Sequence, residues 1–349
     1  MELNIIIDYL IISIIASMAI NSALRNLAKK NQILIDIPDR SRKFHKRATP
    51  LTGGMGIILS VLISAELYLD LNGLKGFVPT FTQHLIWSSI ILVVLFLIDD
   101  FKSLTAFKRL SIQILLSTYM IIMTGVHLES LGNIFGFGLL NLGIFSIPFT
   151  IFCVVGIMNA FNMIDGINGL CAGCGMLGLL LIGFSSGLIY DSMLVLIIGG
   201  MIGFLLFNLR IFGKKRGVFL GDHGSNLVGF FVAWAAIYVS QNTMYDIKPI
   251  TMIWFVLIPL LDCIGLIFSR SMKGKSWASP GRDHIHHKLM NRYTPETTLL
   301  IILSLTLFLG LFAIYIDLYY SSLTSTLLFI VFSAIYYIYA YIYTYNKSM

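Results

Sequence analysis

The sequence predicts an all-α polytopic integral membrane protein, and three observations carry that prediction. Of the 349 residues, 57% are hydrophobic and only 12% are charged, against about 25% charged in soluble domains. The mean hydropathy is +0.86. The apolar residues gather in runs close to the roughly 20 residues that cross a bilayer core, and the cations lie almost wholly between alternate runs.

Taken in order, runs near 3–23, 51–70, 84–98, 110–126, 147–161, 168–187, 191–208, 224–241, 249–268, 298–317 and 323–343 predict about eleven transmembrane helices. The first run follows Glu2 and includes Asp8 where a cleavable signal would be basic, so it is expected to be retained. With the N-terminus outside and the C-terminus cytoplasmic, all but Lys75 and Lys248 of the 24 Lys and Arg face inward. Topology therefore accounts for the net charge of +7 without invoking nucleic acid. The Gly/Asn-rich stretch Gly132–Gly143 predicts a small outer-face hairpin. No internal repeat is visible, so a repeat-built transporter gains no support, and residues 1–349 read as a single transmembrane domain. Cys171-x-x-Cys174 lacks a second pair or a nearby His and reads as small packing residues.

Four polar stretches break this apolar background, and the predicted topology puts all four on the inner face. Asn159-Ala-Phe-Asn-Met-Ile-Asp-Gly-Ile-Asn-Gly-Leu170 sits between two membrane-length runs, where polar groups are costly unless they line a cavity or a site. Asp99-Asp100 close the third run; adjacent acids repel, so a cation is their natural partner, and carboxylates with water and phosphate suit Mg²⁺. Gly221-Asp-His-Gly-Ser-Asn226 opens the eighth run, where free N–H groups and the helix dipole face an anion. Asp222 repels that anion unless a metal lies between, and a plain N-cap turn explains Ser225 or Asn226 equally well. In Pro280-Gly-Arg-Asp-His-Ile-His-His287 the histidines, flanked by Arg282 and Lys288, read as donors to phosphate oxygens, as structural histidines, or as zinc ligands without accompanying Cys. His45, among Arg42, Lys43, Lys46 and Arg47, belongs to the same basic surround. Asp262 stands inside the ninth run, where an acid costs about 2.5–3.5 kcal/mol; it must face protein or water, with Arg270 as a nearby partner and a supporting role.

These pieces resemble the polyprenyl-phosphate N-acetylhexosamine-1-phosphate transferases, and most nearly the bacterial branch that loads GlcNAc-1-phosphate from UDP-GlcNAc onto undecaprenyl phosphate. The resemblance runs through Asp36-Ile-Pro-Asp39, Lys43-x-His45, Thr49-Pro-Leu-Thr-Gly-Gly54, Asp99-Asp100, Asn159-x-x-Asn162-x-x-Asp165-Gly166, Val218-Phe-Leu-Gly-Asp-x-Gly-Ser225, Pro259-x-x-Asp262 and His284-Ile-His-His287. It implies a transfer dependent on Mg²⁺, with Mn²⁺ as a substitute, at the cytoplasmic face of a bacterial inner membrane. The partners it implies are a UDP-N-acetylhexosamine, undecaprenyl phosphate and membrane lipid, and it is compatible with a homodimer. By resemblance Asp222 is the metal ligand, with Asp99 and Asp100 against the prenyl phosphate, holding metal or accepting its proton. Asp165 joins them as a catalytic carboxylate, Asn162 and Asn168 contact diphosphate or nucleotide, and Phe219 stacks on uracil. His45, Arg282, His284, His286 and His287 contact the substrate's phosphates and sugar, and Asp262 supports the site. Two departures stand out: Asn168 replaces the second acid of the family's Asp-Gly-x-Asp-Gly, and His223 follows Asp222 where a small residue is common. The competing readings are a secondary transporter of an anionic solute, which predicts acids in several mid-membrane positions where only Asp262 is found, and a non-catalytic scaffold.

Overall fold

The computed structural model describes residues 3–38, 47–71, 78–187, 191–272, 274, 281 and 283–345. Thirteen α-helices run through them: α1 Leu3–Asn31, α2 Gly53–Leu71, α3 Thr80–Lys102, α4 Ala106–Thr124, α5 Ser146–Ile164, α6 Leu170–Ser186, α7 Ser192–Asn208, α8 Asp222–Gln241, α9 Pro249–Trp254, α10 Leu257–Met272, α11 Ile285–Met290, α12 Pro295–Tyr319 and α13 Ser322–Tyr345. Each predicted span falls on a helix. Of those described, α1, α3, α4, α5, α12 and α13 are long and apolar enough to cross a membrane, and α2, α6 and α7 are shorter apolar helices. The fold is that of a nearly all-helical, polytopic membrane protein.

Two departures from the expected helices have local causes. The ninth span is not one helix but α9 and α10, broken at Phe255–Val256. Pro259 lacks an N–H and its ring crowds the carbonyl four residues back, which is that of Phe255. The chain there tightens into i→i+3 bonds, Phe255 N–H to Met252 O and Val256 N–H to Ile253 O, both 3.3 Å. The predicted hairpin is present as a loop closed by one isolated bridge, Ser130 to Asn141, rather than by two strands. A short antiparallel ladder, β1 Ile35–Asp36 with β2 Thr49–Pro50, was not foreseen.

The chain forms two compact units. The first comprises Met1–Gly125 and Gly187–Val228, the second Val126–Ser186 and Gly229–Met349. In the first, α1 and α7 pack through small residues. Ser13 Oγ donates to Leu196 O and Ser17 Oγ to Gly200 O, both at 2.7 Å. A Cβ on Gly199 would stand 2.7 Å from Ser13 Cβ, and one on Gly203 would overlap Ser17 Cβ. Between helices in lipid, close backbone approach replaces the missing hydrophobic drive. Gly203→Ala is therefore expected to lower the unfolding free energy in detergent by about 1–3 kcal/mol, the cost of overpacking; an unchanged denaturation midpoint would contradict this packing. In the second unit the fully buried Trp254 of α9 packs edge-on against Phe312 of α12 at 6.0 Å and Phe332 of α13 at 5.6 Å, favoured geometry for aromatic pairs. Asp317 ties α12 to the start of α9 by accepting from Lys248 N at 3.2 Å and Thr251 Oγ1 at 2.5 Å.

Candidate active site

Two clusters of polar side chains emerge, one in each unit. The first is built on the end of α3 and the start of α8. Phe219 N–H donates to Pro50 O at 2.8 Å, and Gly53 and Gly54 donate to the carbonyls of Phe219 and Leu220 at 3.0 and 3.1 Å. These bonds clamp the approach to α8 against the start of α2. Gly221 then takes φ +78°, a left-handed conformation glycine adopts without strain, and its missing side chain leaves room for His223 Nδ1 and Asp100 Oδ2, which would stand 2.7 and 3.1 Å from a Cβ.

Asp99 and Asp100, adjacent in sequence, have different partners. Asp99 is 2% exposed; its Oδ1 accepts from Leu104 N at 2.6 Å and its Oδ2 pairs with Arg109 Nε of α4 at 2.6 Å. Asp100 Oδ1 accepts from Asp222 N at 3.1 Å, satisfying a free donor at the start of α8, and its Oδ2 takes the Nδ1 proton of the fully buried His223 at 2.5 Å. Arg109 Nη1 also lies 3.6 Å from Asp222 Oδ2. Asp222 is the most exposed of the three, its side chain 40% exposed against 0% for Asp99 and 6% for Asp100. Below it, Asn226 donates to Asp222 O at 2.8 Å and accepts from Gln113 Nε2 at 2.7 Å, which anchors the first turn of α8 to α4.

Three carboxylates and one guanidinium leave this cluster with a deficit of two positive charges. Among the described residues no three His, Cys, Asp or Glu side chains converge as a closed metal cage. Mg²⁺ rarely uses one: it keeps waters and takes one or two carboxylates with substrate phosphates. An exposed Asp222 beside Asp100 fits that demand.

The second cluster joins the end of α5, α10 and α11. Asp165 is the C-cap of α5 and is exposed, while Asn162 and Asn168 are half-buried. Asp262, on α10 and 4% exposed, accepts from His284 Nδ1 and Ile285 N, both at 2.8 Å, and from Tyr336 Oη at 3.3 Å. It thus caps α11 from another helix and fixes the His284 ring. Arg270, the partner expected from sequence spacing, is not among its contacts, because the acid faces α11. His286 stacks on His284 at 5.3 Å and lies 4.2 Å from His287. A Cβ on Gly166 would overlap the His286 ring, so the Asp165-Gly166 turn and the histidines form one wall.

His286 is 1% exposed, and among the described residues neither ring nitrogen has a hydrogen-bond partner. Its pKa is held well below the usual 6.5, first by burial and then by His287 and His284. The unfolded chain therefore binds the proton that the folded chain refuses, and stability falls as pH drops below about 6.5. His286→Phe is expected to flatten the acid limb of a stability–pH curve measured in detergent; an unaltered limb would assign it elsewhere.

His45 and Arg282 lie outside the described residues. Phe219 is half-buried beside Leu51, with which it forms a bridge. Sequence reasoning missed Arg109, Gln113 and Tyr336 as site residues. Arg109 registered only as an inward-facing cation, and neither neutral residue carries a motif.

The glycosyl transferase family 4 profile matches residues 82–240, which hold the first cluster and the Asn159–Leu170 stretch. The chain is 35% identical over 272 residues to the undecaprenyl-phosphate alpha-N-acetylglucosaminyl 1-phosphate transferase of Yersinia pestis, covering 76% of this chain and 72% of that one. It is 33% identical over 271 residues to the enzyme of that name from Salmonella typhi, with the same coverage. The Haemophilus influenzae enzyme of that name is 31% identical over 263 residues, covering 74% and 72%. On that identity and coverage, the chain belongs to glycosyl transferase family 4.

Proposed function

We propose that this protein transfers N-acetylhexosamine-1-phosphate, with GlcNAc-1-phosphate the default, from a UDP-sugar to undecaprenyl phosphate and releases UMP. The observation that carries the reading is the acidic cluster Asp99, Asp100 and Asp222 with Arg109 between two of its members. The named activity of the relatives supports the same reaction.

A prenyl phosphate oxygen attacks the β-phosphorus, and the bond to the UMP oxygen breaks. A phosphate monoester has its second pKa near 6, so the nucleophile is already mostly ionised and needs orientation more than a base. Phosphoryl transfer depends on position and charge neutralisation. Asp222, with Asp100 beside it, would hold Mg²⁺, or Mn²⁺ in its place, and the bound ion would neutralise diphosphate charge. Asp99 positions Arg109, whose guanidinium would meet phosphate oxygens in the paired geometry it favours. Asn162, Asp165 and Asn168 bind the nucleotide diphosphate, and Phe219 stacks on uracil. His284, His286 and His287 meet sugar phosphate, with His45 and Arg282 extending the basic surround. Asp262 holds His284 in the tautomer that leaves Nε2 outward.

We further place the chain as one transferase domain of eleven spans, N-terminus outside, in a bacterial cytoplasmic membrane with its site on the cytoplasmic face. The inward bias of Lys and Arg supports this orientation. The test is mass spectrometry of lipid products made from a panel of UDP-N-acetylhexosamines. A prenyl-diphosphate sugar is the expected product, while solute uptake into vesicles with no lipid-linked product would overturn the assignment.

A further inference from the structure

Within the first unit, Lys29 of α1, Arg47, Ala48 and Thr49 at β2, and Lys214, Lys215 and Gly217 after α7 line a cavity of about 170 Å³. Its charge is of one sign: three lysines and an arginine, and none of its lining residues is acidic. Asp99, Asp100, Arg109 and Asp222 are not among the lining residues. Lys29 is held by a backbone carbonyl rather than by an acid. Lys215 O accepts from Lys29 Nζ at 2.9 Å and from Arg25 Nη1 at 3.3 Å. Among the described residues, none of Lys29, Lys214 or Lys215 is ion-paired with a carboxylate. Like charges gathered around a recess repel one another, and an anion relieves that repulsion. The volume takes a tetrahedral phosphate group and a few waters, each water needing about 30 Å³.

We propose that this cavity binds the phosphate of an anionic membrane phospholipid headgroup, at a site that takes Arg47 from the basic surround but none of the acidic cluster. The cavity lies at the basic end of α1, a helix long and apolar enough to cross the membrane. A basic recess at such a helix end lies where lipid phosphates do, and such recesses between membrane helices recognise acidic headgroups. A soluble phosphate satisfies the same donors, so the experiment separates the two sources.

The full-length protein in detergent is titrated with phosphatidylglycerol or phosphatidylcholine, and bound lipid is counted by native mass spectrometry. Retention of phosphatidylglycerol over phosphatidylcholine is expected. Lys214→Gln with Lys215→Gln is expected to weaken it by about 25-fold, from roughly fivefold for each cation near an anionic lipid surface. The Lys215 carbonyl survives both changes, so Arg25 and Lys29 keep their backbone contact; an unchanged melting midpoint confirms folding, and Lys29→Gln provides a second variant on another element. Displacement of phosphatidylglycerol by millimolar inorganic phosphate supports the phosphate site but assigns it to a soluble anion. Equal retention of both lipids, or of phosphatidylglycerol by both variants, overturns the proposal. So does a raised KM for undecaprenyl phosphate with phosphatidylglycerol binding unchanged. The lipid-retention and melting measurements need no turnover, so the proposed reaction can fail while this site stands.

Discussion

Asp222→Asn is expected to reduce UMP release by at least about 10²–10³-fold, the scale lost when one preorganised electrostatic group is removed from a charged transition state, while leaving the protein folded. The reason lies in which atoms of residue 222 hold the structure together. Its N–H meets Asp100 Oδ1 and its carbonyl accepts from Ser225 and Asn226, and these backbone groups persist in the amide. Its side chain is 40% exposed and lies 3.6 Å from Arg109 Nη1, so removing its charge costs little stability in water-screened surroundings. Asp99→Asn provides the contrast. Asp99 is fully buried as a side chain and 2.6 Å from Arg109, and breaking such a pair leaves the cation without its anchor. That variant should lose both UMP release and thermal stability. Equal melting midpoints for the two variants, or near-normal turnover of Asp222→Asn, would remove the metal role from Asp222.

Asp262→Asn is expected to slow turnover by about 10–100-fold, the usual cost of removing a group that orients a functional histidine, with a smaller change in KM. The amide oxygen can still accept the Ile285 N–H that starts α11, so the helix cap survives. What is lost is the carboxylate opposite His284 Nδ1, 2.8 Å away. An amide NH₂ turned toward that nitrogen favours the opposite tautomer, with the proton on Nε2. The pH–rate profile should therefore shift as well as fall. Tyr336→Phe removes only the longer 3.3 Å contact and should have a milder effect. A fall in rate with an unmoved pH profile would make Asp262 a packing residue alone.

Much of the architecture is legible in the chain itself. Hydropathy places the helices apart from short α11 and the break between α9 and α10, because a backbone in lipid must satisfy its own hydrogen bonds and so runs helical for the length of the apolar segment. The loop at 130–141 is marked by its glycines, and all four polar stretches read as site material contribute to the two clusters. The break before Pro259 was readable in principle, since proline's missing donor is a sequence property, but hydropathy alone runs across it.

The pairing of those residues is a different matter. Asp99 and Asp100 are identical neighbours, yet successive side chains on a helix point about 100° apart. One therefore meets Arg109 on α4 and the other meets His223 at the head of α8. Asp262 looked to Arg270 by spacing along its own helix, whereas its carboxylate serves α11, 22 residues on, because a buried acid settles where the most donors converge. The stretch Asn159–Leu170 is unmistakable in sequence, but that its Gly166 abuts the His286 ring depends on how α5 and α11 pack. Composition and order alone determine a helical membrane protein with acidic and basic site segments. Which carboxylate stays exposed and which is buried holding a cation or a helix end is decided by tertiary packing, since only there does each donor meet its acceptor.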